Sequence, residues 1–235
     1  MNLLSEIAIT VAGIALLLMS RGQPFPEISR GYGLTILLIG VVFLLTRGAG
    51  RPFTEEIGAT TAIILGGIGV AAGIRHLART HRDVLVAPIA SLVLAVGTIL
   101  LLASQWDRDA PLLDHLSGFV LAVIVSLLAL YLVFQGLLIG GLQRGWSQAG
   151  LRQLHRGLID GPSGAVACFE RAWDPLDESL DAMSHAALVK IHRHMKRDDK
   201  AEEHQHLLDS LGGWDVIDET WLKVIDEHLG RDTSS

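Results

Sequence analysis

The chain has 235 residues, half of them apolar, a formal net charge of −6 and one cysteine. A lone cysteine cannot pair within the chain, which excludes a disulfide scaffold. Residues 1–146 hold nine arginines, no lysine and eight acids, a net of +1, while residues 147–235 hold ten lysines and arginines against seventeen acids, a net of −7. The acidic segment repels phosphate and argues against nucleic acid as a partner.

About 20 apolar residues carry a helix across a hydrocarbon core of roughly 30 Å. Five stretches qualify: Leu3 to Ser20, Gly31 to Thr46, Ile57 to Leu77, Val84 to Trp106 and Leu112 to Leu142, the last with an expected break near Gly140-Gly141. The first stretch lacks the basic start and small-residue cleavage site of a signal peptide, so it reads as a retained span. Trp106 and Trp146 close spans four and five and Tyr32 opens span two, the positions amphipathic rings take in a headgroup layer. Pro88 falls in the first turns of span four, where it starts or kinks the helix.

Arginine placement orients the spans. Arg21, Arg30, Arg75, Arg79, Arg82, Arg144, Arg152 and Arg156 fall on one side, and Arg47, Arg51 and Arg108 on the other. The richer side is the cytoplasmic one. The expectation is a multi-pass protein of the inner (plasma) membrane, with the N-terminus outside and the tail cytoplasmic.

No ionisable residue falls in mid-span. Glu6, Glu55, Glu56, Asp83, Asp114 and His115 sit near span ends, within expected reach of water. Mid-span hydroxyls, such as those of Thr10, Thr35, Thr61, Ser91, Thr98 and Ser126, can bond back to helix carbonyls; Gln135 is the most polar residue there and suits an inter-helix hydrogen bond. Proton-coupled transporters and cation channels usually need buried or ringed acids. No two spans offer facing histidines for a haem, and no cofactor is expected.

Small residues recur at four-residue steps: Gly58, Ala62 and Gly66, then Gly69 and Gly73, then Gly136 and Gly140. Such spacing lets helix backbones approach in lipid. It serves packing within one bundle or, more sharply, an oligomer seam between copies.

From Trp146 the pattern changes. Leu151, Leu154 and Leu158, with Arg152, His155 and Arg156 among them, predict a short amphipathic helix over 147–160, lying on the inner leaflet or continuing span five. Gly161-Pro162 then opens a soluble helical domain over 161–235. Its expected helices run from Ser163 to Trp173, from an Asp174 cap and Pro175 through Met195, from Asp199 with Glu202 as a capping box to Leu211, and from Asp215 to Leu229.

The run Ala165-Val-Ala-Cys-Phe169-Glu-Arg-Ala172-Trp-Asp-Pro175 resembles the second helix of a tetratricopeptide repeat, with Ala165, Phe169 and Ala172 at its small, aromatic and small positions. The resemblance covers about 165–211. It implies stacked helix pairs and a protein-docking surface.

Five tail histidines, His185, His192, His194, His204 and His206, lie among acids. Residues two apart on a helix point away from each other, so neither His192 with His194 nor His204 with His206 can chelate. Only Glu202 with His206 shares a face. A solvated mixed-charge face is expected, with no metal site. Cys168, among apolar neighbours and without a base, reads as a buried structural thiol.

The sequence therefore predicts an all-α protein: a five-span bundle over 1–146, a juxtamembrane helix and a soluble helical tail. With no catalytic constellation, the expected role is not enzymatic. The spans anchor the chain in the lipid bilayer and the tail docks a cytosolic protein, with Trp214 and Trp221 as the candidate partner surface. The alternative is an oligomeric small channel, transporter or membrane-perturbing effector with a regulatory tail.

Overall fold

The computed structural model of the chain describes residues 3–46, 54–106, 111–139, 141–174 and 177–231. Every regular element among the described residues is helical. The helices are α1 (Leu4–Met19), α2 (Pro26–Thr46), α3 (Glu55–Ile74), α4 (Val86–Trp106), α5 (Leu112–Val133), α6 (Gln143–His155), α7 (Ala165–Glu170), α8 (Glu178–His194), α9 (Asp198–Ser210) and α10 (Glu219–Arg231). They form two compact units, Met1–Gly141 and Leu142–Ser235. Gly140, Arg47, Arg51, Arg108 and Pro175, used in the sequence reading, lie outside the described residues.

The first unit contains five helices long and apolar enough to cross a membrane, over Leu4–Gly22, Pro26–Thr46, Glu55–Thr80, Val86–Trp106 and Leu112–Leu137. The second starts at Pro26, before the expected Gly31. Proline fits the first helical turn, where its missing N–H has no partner to lose, and the polar residues Glu27 and Arg30 hide this start from a hydropathy reading. Pro88 also lies in the first turn of its helix, α4, where its missing N–H has no partner to lose. Two helices loosen at their ends: α3 runs into a π-helical turn, Arg75–Thr80, and α5 into another, Phe134–Ile139. The fifth apolar helix thus stops short of Leu142, with Gly141 at φ 22°.

Packing is by small residues. In the α1/α2 pair, Gly13 lies against Leu37, Gly33 against Leu16 and Gly40 against Thr10, an antiparallel register. Helix α4 is central, packed by α3, α5 and α1. Of its most apolar stretch 56% is buried, against 17% for α5, whose aliphatic side chains are mostly exposed. The hydroxyls of Thr10, Thr35, Thr61, Ser91, Thr98 and Ser126 each donate to a carbonyl of their own helix three or four residues back, as expected.

In the second unit α6 and α7 pair antiparallel. Gly150 lies under the Phe169 ring and the Arg171 guanidinium sits 4.9 Å from the Trp146 ring centroid. Leu154, Phe169, Leu188, Ile191 and Ile225 are core, and Leu151 packs on them. Two of the three leucines that the inner-leaflet alternative turns to lipid, Leu151 and Leu154, instead face the core of their own unit, and only Leu158 is exposed. The helix starts also differ. Asp177, not Asp174, caps α8 by accepting from the Leu180 amide, and its carboxylate meets Arg144 at 3.0 Å. Helix α9 starts at Asp198 without a side-chain cap, so Asp199 and Glu202 form no capping box. Asp218, not Asp215, accepts from the Thr220 amide at the start of α10, while Asp215 sits in a 3-10 turn.

Candidate functional site

The small-residue stripe of α3 is filled from within the chain. Gly66 meets Leu94, Gly69 meets Tyr32 and Ala90, and Gly73 meets Ala87. Ala62 is fully buried beside Gly97 of α4, and Gly58 abuts Ser5 of α1. Gly136, beyond α5, abuts Pro88 and Val84. These positions serve the plainer of the two readings, packing inside one bundle. A seam between copies would have to open these contacts first. Tyr32 does not lie at a span start: its hydroxyl donates to the Leu65 carbonyl of α3 at 2.8 Å.

Two acids expected to reach water are buried at span ends, Glu6 at 5% exposure and Asp83 at 1%. Asp83 is a cap. One carboxylate oxygen accepts from the Leu85 and Val86 amides at 3.0 and 2.8 Å, and the other accepts from the Ser29 hydroxyl of α2. The Gln23 side-chain oxygen accepts from the Val84 amide. The carboxylate thus ties the first turn of α4 to α2 through three donors. Its position before an apolar run was the readable signal. What the sequence hid is that α2 closes over it.

Trp214 and Trp221 are half-buried rather than exposed. Trp221 packs on both hydrophobic clusters of the tail and stands edge-on to Phe169, 6.2 Å between centroids. It is core, because the α10 stripe turns it inward. Trp214 donates to the Gln205 side-chain oxygen at 3.2 Å and lies near the Lys190 ammonium.

Three of the five tail histidines leave the solvated face expected of them, while His206 is exposed. His185, His192 and His204 are buried, at 6%, 0% and 7% exposure. The first two lie seven residues apart on one face of α8, and His204 faces them from α9. His185 and His204 approach at 3.3 Å between Nδ1 atoms, and the His192 and His204 rings stack at 5.5 Å and 7°. Trp173 leans on His185 at 4.9 Å and on His204 at 6.2 Å. Both ring nitrogens of His192 are buried without a hydrogen-bond partner among the described residues.

Burial holds all three imidazoles below the ordinary histidine value, and the nearness of His204 adds to this for His185 and His192. Among the described residues no three histidine, cysteine or acid side chains are arranged to hold a metal ion. Reasoning helix by helix missed this cluster. The signal was the seven-residue spacing of His185 and His192 within the apolar stripe of α8. Cys168 is buried as expected, and burial pushes its thiol up.

No family model matches the chain, and neither a curated protein nor a solved structure matches it.

Proposed function

We propose that this chain is a multi-pass membrane anchor whose five spans hold a cytoplasmic helical tail for docking a protein partner. The observation that carries the membrane part is the apolar surface of the first unit. Leu18, Leu38, Leu45, Ile68, Leu112 and Leu130 are each more than half exposed, on four different helices. In water such a surface drives association, whereas hydrocarbon solvates it and the helices satisfy their own backbone groups. The arginine bias supports a cytoplasmic tail. The docking part is supported by a tail that forms its own compact unit. Within it Ala165, Phe169 and Ala172, the positions of the tetratricopeptide resemblance, are fully buried.

The test is cross-linking in intact cells followed by purification from membranes, comparing the full chain with one stopped after Gly141. That stop removes the second unit whole. A soluble protein captured specifically by the full chain is the expected result; recovery of nothing but the chain itself from both overturns the docking reading. Orientation is read from Asp209→Cys in a Cys168→Ser background. An impermeant maleimide should label it only after the membrane is opened, and labelling of intact cells overturns a cytoplasmic tail.

A further inference from the structure

Three imidazoles from two helices meet in one buried cluster, and among the described residues no metal arrangement accounts for them. Their geometry disfavours charging neighbouring rings together. The contact between the His185 and His204 Nδ1 atoms, at 3.3 Å, needs one donor and one acceptor. If both rings are protonated, both nitrogens carry hydrogens and the contact becomes repulsive. His192 lies flat over His204, and among the described residues neither of its nitrogens has an acceptor for a new proton. A charge there is buried, unpaired and beside a second one, which is the costliest arrangement for an ion.

We infer that the α8–α9 contact is a pH-sensitive joint, closed by three neutral imidazoles and opened when they take up protons. The charged groups facing the cluster do not cancel the effect. Asp181 faces His185 and favours its proton, as Glu203 and Glu170 do for His204 and Asp160 does for His192. Lys200 opposes a proton on both His192 and His204, and Arg197 opposes one on His192. Asp160 is itself bound by Arg197, which weakens its pull. His192, the most buried of the three, therefore resists charging from every side but one. Opening would uncover Leu208 of α9, now fully buried against Ala182 and Ala186 of α8. The joint would thus change an apolar surface of the tail in the pH range where only histidine ordinarily titrates.

The experiment is spin-label distance measurement on the full chain in lipid nanodiscs. Labels go on Ser179→Cys and Ser210→Cys, both exposed, in a Cys168→Ser background. Between pH 7.5 and 5 the distance should lengthen in a reversible step, and the step should vanish in the His185→Gln, His192→Phe, His204→Gln triple variant. His192→Phe alone, which keeps an aromatic ring on the stack, should make the step less steep. His206→Gln, on the exposed side of α9, should leave it unchanged. An unchanged distance in the parent chain at pH 5 overturns the proposal. So does a step that persists at the same midpoint in the folded His192→Phe variant with the same steepness, or one abolished by His206→Gln.

Discussion

Gly66 of α3 sits against the backbone of Leu94 in α4: a Cβ on Gly66 would stand 2.5 Å from the Leu94 amide nitrogen and 2.7 Å from its Cα. A side chain in its place has no rotamer that relieves the clash, because the obstacle is main chain. The helices would have to separate.

Gly66→Leu should therefore lower the melting temperature of the detergent-solubilised chain, at a cost of about 3 kcal/mol or more. Gly67→Ala is the control. Its Cβ meets nothing within 4 Å, and the change should shift stability by less than about 1 kcal/mol. If Gly66→Leu instead leaves melting untouched and abolishes self-association, the stripe is a seam between copies.

Asp83→Ala removes the acceptor for the Leu85 and Val86 amides and for the Ser29 hydroxyl at once. It should destabilise the first unit by about 2 kcal/mol. Asp83→Asn keeps an amide oxygen for the cap and should cost less. A double-mutant cycle with Ser29→Ala should return a favourable coupling, and strict additivity would show the α2–α4 tie to be idle.

Gly150→Val adds branched carbon under the Phe169 ring, whose nearest atom would stand 2.7 Å from the new Cβ. Phe169 is fully buried and cannot swing out. The tail should lose about 1–3 kcal/mol, visible as faster proteolysis within residues 147–231 while the first unit stays resistant. Equal resistance in parent and variant would mean that α6 does not belong to the tail core.

The tail should lose stability as pH falls through two separate windows. The three buried histidines have folded values below the ordinary 6.5, so above that pH both folded and unfolded chains hold them neutral. Below it the unfolded chain binds protons that the folded one refuses, and stability falls. Asp160, Asp177 and Asp218 are held below 3.8, the first two chiefly by Arg197 and Arg144 and the third by Thr220. Their contribution is present above 3.8 and is lost only at lower pH. Urea unfolding of the tail transition from pH 8 to 3 should show the first decline beginning near 6.5. A flat profile down to pH 4 would contradict it.

Apolar content and helical spacing made the spans and the tail stripes legible, because both are one-dimensional properties. Helix starts were less so. Asp174 and Asp177, or Asp215 and Asp218, are equivalent as caps by residue type, and tertiary contact chose between them: Arg144 holds Asp177, and the 3-10 turn takes Asp215 out of contention. The acids were misjudged for a related reason. Position near a span end says how far Asp83 is from water along the helix axis, but not that Ser29 covers it from the side. The histidine cluster escaped because its members are compatible only across two helices.

Helix α5 packs chiefly on α4, while α4 is already enclosed by α1 and α3. The contacts that hold α1, α2, α3 and α4 to one another therefore do not depend on α5. Losing α5 would strip one face of α4 while the interfaces of α1 with α2 and of α3 with α4 stay in place.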